Sequence, residues 1–371
     1  MKLFLFSIVP FLLSAVFLAD DRCNRPAPAQ TDGPYVFYQG KKAYVKYVLQ
    51  EEQTLKTVRT DTLADLGVMG AQVVRVSTGA PGEDFVVQLK SGHENEKAEY
   101  PVPQRMLAVS DIEGNFTAFR KLLQANGVID STYKWTFGNG HLVLTGDFFD
   151  RGEYVTQVLW LIYSLEDQAK AAGGYVHYIL GNHEIMNLGN DFRYVHPKYI
   201  ENAGLMGMQY RDLFTAETEL GRWLRSKNIA EKIGDFLFVH GGISAELNAI
   251  DIGVTKMNKL ARPMYPDTTY KYKDIKTELL FSDYGPFWYR GYYMGQPKAS
   301  SAQIDSTLNL YKVKYIATGH TVVADTISRI YSGKVFNTDV HHAKGISEGL
   351  LMENNRFYRV NQAGEKFDIG N

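Results

Sequence analysis

Apolar and polar positions divide the chain into four stretches. Residues 1–19 are almost wholly apolar, with Lys2 near the start and Asp20-Asp21 immediately after. The run is shorter than the roughly 20 residues of a membrane span. Small residues in Ala15-Val16-Phe17-Leu18-Ala19 suit a cleavage region, so the pattern predicts a secretory signal, with an uncleaved N-terminal anchor as the alternative. Residues 20–34, with Arg25-Pro26-Ala27-Pro28, read as a linker. Residues 35–100 alternate apolar and polar side chains between Gly- and Asp-containing turns, as in Ala43-Tyr44-Val45-Lys46-Tyr47-Val48, and predict a small β-rich segment. Within its end, Ala98-Glu99-Tyr100-Pro101-Val102-Pro103 reads as a second linker.

The pattern changes for residues 104–371. Short apolar runs predict strands at Met106-Leu107-Ala108-Val109, Leu142-Val143-Leu144, Val176-His177-Tyr178-Ile179-Leu180, Phe236-Leu237-Phe238-Val239 and Tyr315-Ile316-Ala317. Val155, Val158, Leu159, Ile162 and Leu165 recur at helical spacing and predict a helix packed on a sheet; residues 214–227 predict another. Strand–helix alternation predicts an α/β sandwich, one large domain preceded by the β-rich appendage.

Composition refines this picture in two places. The chain balances 40 basic against 41 acidic residues, so it lacks the electrostatic footprint of a nucleic-acid binder. Cys23 is the single cysteine, which excludes an intramolecular disulfide. Its place just after the signal raises lipid anchoring, but Asp21-Arg22 is unlike the small-residue box such processing needs, and a lone thiol in a tail is the plainer reading.

The chemistry sits at the ends of the predicted strands. They deliver Ser110-Asp111-Ile112-Glu113-Gly114-Asn115, Gly146-Asp147-Phe148-Phe149-Asp150-Arg151-Gly152, Gly181-Asn182-His183-Glu184, His240-Gly241-Gly242 and Thr318-Gly319-His320-Thr321. Each cluster alone is an ordinary turn or a buried structural histidine. Together they occupy the strand ends, where open α/β sheets place their sites. Carboxylates, imidazoles and an amide oxygen without thiolates suit divalent or trivalent first-row cations. A carboxylate shared by two cations roughly 3.5–4 Å apart suits in-line displacement at phosphorus. Arg151 and Arg290 carry guanidinium forks that match phosphate oxygens.

These segments, with Phe287-Trp288-Tyr289-Arg290-Gly291, resemble the calcineurin-like metallophosphoesterases, specifically the phosphoprotein phosphatase branch and most of all the Shewanella-like phosphatases. The resemblance covers about residues 106–339 and leaves out the N-terminal β segment. It implies a metallophosphoesterase-type β-sandwich flanked by helices and two metal ions, manganese first, with iron, zinc or magnesium as alternatives. Asp147 would bridge the metals, Asp111 and Glu113 would bind the first, and Asn182, His240 and His320 the second. His183 would protonate the leaving oxygen, oriented by Asp150, while Arg151 and Arg290 would hold the substrate phosphate. Glu113 stands where the family has histidine, which makes the first site harder and more negative; a Glu113 that does not ligate is the other reading.

The implied activity is hydrolysis of phosphoserine, phosphothreonine or phosphotyrosine in proteins or peptides by direct attack of hydroxide, without a phosphoenzyme. A nucleotide or dinucleotide polyphosphate hydrolase, a broad scavenging phosphatase and a weakly active phospho-ligand-binding protein are the alternatives. The signal predicts an exported enzyme, periplasmic or secreted, without a membrane span once cleaved. Beyond the motifs, His341-His342 follow a strand-like run, and on a strand at most one would face the site. Glu184 reads as a hydrogen-bond partner, and Trp288, Tyr289, Tyr292 and Tyr293 as cleft wall or core.

Overall fold

The computed structural model describes residues 29–51, 55–65, 70–79, 83–269 and 271–370. The apolar run at residues 1–19 and Cys23 lie outside them. The chain opens with an antiparallel meander, β1 (Ala29–Gln39), β2 (Lys42–Gln50) and β3 (Lys56–Asp65), then a hairpin, β4 (Val73–Val76) and β5 (Phe85–Gln88). There follow β6 (Glu99–Tyr100), β7 (Arg105–Val109), α1 (Phe116–Ala125), β8 (His141–Leu144), α2 (Val155–Ala171), β9 (Tyr175–Tyr178), α3 (Asn182–Leu188), α4 (Pro197–Leu205) and α5 (Glu219–Arg225). The second half runs β10 (Ala230–Ile233), β11 (Phe236–Val239), α6 (Ala245–Ala249), α7 (Val254–Ala261), α8 (Ile275–Phe281), α9 (Ser301–Tyr311), β12 (Tyr315–Thr318), β13 (Ser328–Ile330), β14 (Val335–Asn337), β15 (Glu348–Glu353), β16 (Arg356–Asn361) and β17 (Lys366–Asp368).

Two six-stranded sheets carry the fold, ordered β17-β16-β15-β7-β8-β9 and β13-β14-β12-β11-β10-β6. β7, β8 and β9 are mutually parallel, as are β11, β12 and β14, so their C-terminal ends gather on one side. Strand alternation builds two cores. Met106, Ala108 and Val143 meet Phe236, Phe238, Ala317, Phe336 and Phe357 between the sheets. Leu107, Val109, Leu142 and Leu144 belong instead to the cluster that includes α1 and α2. Both faces are covered, which is why these strands read as unbroken apolar runs.

α2 explains how the N-terminal strands join the molecule. Its predicted face is buried, and so are Trp160, Leu161 and Tyr163. β1 lies against that further surface: Trp160 Nε1 donates to Pro34 O at 2.9 Å, and Tyr35 OH lies 3.3 Å from Thr156 Oγ1. Tyr38 N donates to Glu217 O at 2.8 Å, and buried Asp32 accepts from Tyr35 OH at 2.7 Å and Asn202 Nδ2 at 2.6 Å. Each large apolar side chain enclosed there contributes about 1.5–3 kcal/mol. The β segment therefore shares the main core.

Three boundaries differ from the sequence reading. β1 starts at Ala29, inside the expected linker, because Asp32 and Pro34 bind other elements. The second linker holds β6, an edge strand beside β10, with Lys232 N donating to Ala98 O at 2.8 Å. The helix expected over residues 214–227 starts at Glu219, because Thr218 caps it by accepting from Gly221 N at 3.1 Å. Among the described residues, no helix is long and apolar enough to cross a membrane.

Candidate metal centre

Asp111 follows β7, Asp147 follows β8, Asn182 follows β9, His240 follows β11 and His320 follows β12. The turns lock to one another: Asp111 N donates to Gly146 O (2.9 Å), Glu113 N to Asp147 O (3.0 Å) and Gly319 N to His240 O (2.9 Å). Six side chains of this region have left-handed backbones, at Asp111 (φ 52°), Glu113 (49°), Asp147 (60°), Asp150 (69°), Arg151 (57°) and His320 (67°). Such conformations cost of order 1–3 kcal/mol each and persist where surrounding structure enforces them, typically at functional sites. Two glycines are required by contact. A Cβ at Gly181 would lie 2.2 Å from Asp147 Oδ1, and one at Gly319 would lie 2.3 Å from Asp111 Oδ2.

The donor atoms converge on Asp147, which is 2% exposed. His240 Nε2 lies 3.0 Å from Asp147 Oδ2 and 3.0 Å from Asn182 Oδ1. His240 Nδ1 donates to Thr145 O at 2.7 Å, so in the neutral ring the Nε2 lone pair faces two oxygen acceptors. Ligand atoms of Asp147, His240 and His320 all fall within 4.8 Å of one another. Crowded acceptors of this kind are relieved by a proton on His240 or by a bound cation, and this donor set fits a first-row metal.

The charges respond accordingly. Burial opposes ionisation of Asp147, but His240 and His183 hold its carboxyl below the usual range. Burial also disfavours the charged form of His240, yet Asp147 pushes its pKa up to about 9. Burial, with His240 and Arg290 nearby, holds His320 well below the ordinary value. Asp111 is pushed up to about 6 by burial, partly offset by His240.

His183 approaches Asp147 from the other side, with Nε2 3.7 Å from Oδ2. Its Nδ1 lies 2.7 Å from Asp150 Oδ2, and Asn187 Nδ2 donates to Asp150 Oδ1 at 2.8 Å. Burial lowers the pKa of His183, but Asp147 and Asp150 prevail and raise it to about 9. Arg151 Nη1 donates to Glu113 Oε1. Arg290 Nη1 donates to His320 O and, at 3.1 Å, to Thr321 Oγ1. Both guanidiniums sit at the mouth of a cavity of about 230 Å³ lined also by Asp111, Glu113, Asp147, His183 and His320.

Glu184 accepts from the backbone of Asp147 (2.9 Å), Phe148 (2.7 Å) and Gly181 (2.6 Å), and from Tyr178 OH (3.0 Å). It ties the β8 and β9 loops together. Tyr292 and Tyr293 are core residues, Tyr293 OH meeting Thr318 Oγ1 at 2.6 Å, while Trp288 stands edge-on to His320. His341 and His342 do not lie on a strand, since β14 ends at Asn337 and a 3-10 turn starts at His342. Both line the cavity, His341 paired with Asp325 and His342 Nδ1 3.1 Å from Ser347 Oγ. Sequence reading passed over Asp339, which also lines the cavity and is 5% exposed. Its proximity to the Asn337 strand end was the available signal.

Hard oxygen donors and imidazoles around a shared carboxylate, with guanidiniums at the entrance, perform phosphate ester hydrolysis by a metal pair, and the class so defined is the metallophosphoesterases. The chain belongs to the calcineurin-like phosphoesterase family, whose model matches residues 104–324. It is similar to Shewanella-like protein phosphatase 2 of Arabidopsis thaliana, 26% identical over 70% of this chain and 77% of that protein. Shewanella-like protein phosphatase 1 of Plasmodium berghei is 26% identical over 63% of this chain and 66% of its own. A cold-active protein-tyrosine phosphatase from a psychrophilic Shewanella matches the structure with a TM-score of 0.81 at 34% identity, covering 91% of this chain and 99% of that one. That coverage is too wide to leave out the whole N-terminal β segment, which lies outside the sequence resemblance.

Proposed function

We propose that this enzyme hydrolyses phosphate monoesters on phosphorylated proteins or peptides, that it works with manganese, and that it acts after export. The observation that carries the reading is His183, held at Nδ1 by Asp150 with Nε2 turned toward Asp147, beneath two arginines at an open mouth. The Shewanella-like relatives and the tyrosine phosphatase neighbour support the substrate class.

Asp111, Asp147, Asn182, His240 and His320 would hold the cations. When bound, the pair would supply Lewis acidity and would lower the pKa of a water that it binds. Arg151 and Arg290 bind the non-bridging phosphate oxygens, and their exposed position admits a group carried on a large substrate. His183 holds a proton at Nε2 and delivers it to the leaving oxygen. Asp150 fixes the ring so that Nε2 faces the reacting centre. The domain beyond residue 104 has no cysteine, so a thiol nucleophile plays no part.

The test is turnover of phosphotyrosine, phosphoserine and phosphothreonine peptides against aryl phosphates and dinucleotide polyphosphates, with metal analysis of the purified protein. Higher kcat/KM on dinucleotide polyphosphates would overturn the substrate assignment. Fractionation of cells expressing the full chain tests export, and cytosolic retention would refute it.

A further inference from the structure

The two halves of the metal centre are built unequally. The half around Asn182, His240 and His320 has its donor atoms gathered. The half around Asp111 relies on residue 113, and the Glu113 carboxylate is committed to Arg151 at the cavity mouth.

A fourth carboxylate faces the same cavity. Asp339 lines it beside Asp111 and Asp147 and is 5% exposed. Its backbone N donates to Asn337 Oδ1 at 2.8 Å, but its carboxylate has no hydrogen-bond partner among the described residues. The residue before it explains its placement. Thr338 Oγ1 donates to Thr318 O (2.9 Å) and lies 3.0 Å from Ser110 Oγ and 3.3 Å from Thr145 Oγ1. Thr338 is thus wedged among the ends of β12, β7 and β8, and Asn337 Nδ2 pins the loop to Thr321 O at 2.7 Å. Asp339 is delivered to the floor where the strand ends meet. In the same loop, buried His342 Nε2 lacks a hydrogen-bond partner among the described residues. Burying a carboxylate without partners is unfavourable unless a proton or a cation neutralises it.

We propose that Asp339, and not Glu113, completes the first metal position beside Asp111, leaving Glu113 to position Arg151. This rests on the metal-pair reading above. The experiment titrates manganese into metal-free full chain and its variants by calorimetry, with thermal unfolding of each metal-free protein as control. Wild type should take up two ions. Asp339→Asn should lose one, or weaken it by at least about tenfold, while Glu113→Gln keeps both within about threefold and mainly raises KM for phosphate monoesters. Metal-free Asp339→Asn should melt no lower than wild type, since a buried repulsion is removed; a marked drop would assign Asp339 a structural role and overturn the proposal. Asp339→Glu, which retains a carboxylate, should recover the second ion in part. Two ions retained by Asp339→Asn, or one lost by Glu113→Gln, overturns it. A wild type that binds one ion overturns the metal-pair reading along with it.

Discussion

His183 Nδ1 lies 2.7 Å from Asp150 Oδ2, and this contact sets which ring nitrogen the reacting centre sees. With the Nδ1 proton engaged by the carboxylate, Nε2 is the atom left to exchange a proton with substrate. His183→Asn should therefore lower kcat by about 10²–10⁴-fold on alkyl phosphates. On p-nitrophenyl phosphate, whose leaving group needs little protonation, the loss should be much smaller. Equal losses on both substrates would argue against the proton-donor role. Asp150 and Asp147 both raise His183, to about 9 without metals. An acid catalyst works while protonated, so kcat should fall as pH rises through its pKa. In the loaded enzyme this limb should lie below about 9, because the cations neutralise Asp147, and Asp150→Asn should shift it lower still. A pH–rate profile with no basic limb would refute this.

Asp147 is the residue on which both halves of the centre depend. Asp147→Asn should abolish hydrolysis and metal uptake together, and His240, which Asp147 lies 3.0 Å from, should lose its raised pKa. Metal analysis and imidazole NMR titration report these separately. Chelation of wild type should abolish activity reversibly, restored by adding manganese.

Gly181→Ala isolates close approach from conformational freedom, since φ at Gly181 is −94°, accessible to any residue. The added methyl would meet Asp147 Oδ1 at 2.2 Å. Overpacking of this kind costs about 1–3 kcal/mol. The expected variant is folded, somewhat less stable, and deficient in metal. Full metal content with unchanged activity would show that the loops yield without cost.

Away from the centre, Glu166 is buried beside Lys227, at 2.6 Å, and Lys90, with Trp223 Nε1 donating at 2.9 Å. Burial disfavours its ionised form, but the two lysines prevail and hold its pKa near about 2. The folded-state pKa lies below the unfolded value of about 4.3. Its stabilisation is thus complete above the unfolded value and is lost as pH falls toward the folded one. Glu166→Gln should destabilise the protein by about 3–5 kcal/mol at neutral pH. It should also flatten the acid limb of the stability curve, readable from urea midpoints across pH.

Strand-end residues were legible in the sequence because each strand and its turn are contiguous. Asp111, Asp147, Asn182, His240 and His320 each follow an apolar run directly. Relations between distant segments were not. Nothing local joins Glu113 to Arg151, and Asp339 reaches the cavity because Thr338 packs on three other strand ends. The β1–α2 contact left a partial trace, since Trp160, Leu161 and Tyr163 make α2 apolar beyond the single stripe that one covering sheet requires. The early start of β1 depends on Asp32 meeting Asn202, across the whole first half of the fold.

Glu184 gathers amides from two loops and a tyrosine hydroxyl from a strand, none of them a ligand atom. The relative position of the two loops is therefore set by hydrogen bonds that use no ligand atom, so replacing one cation by another would leave this brace in place.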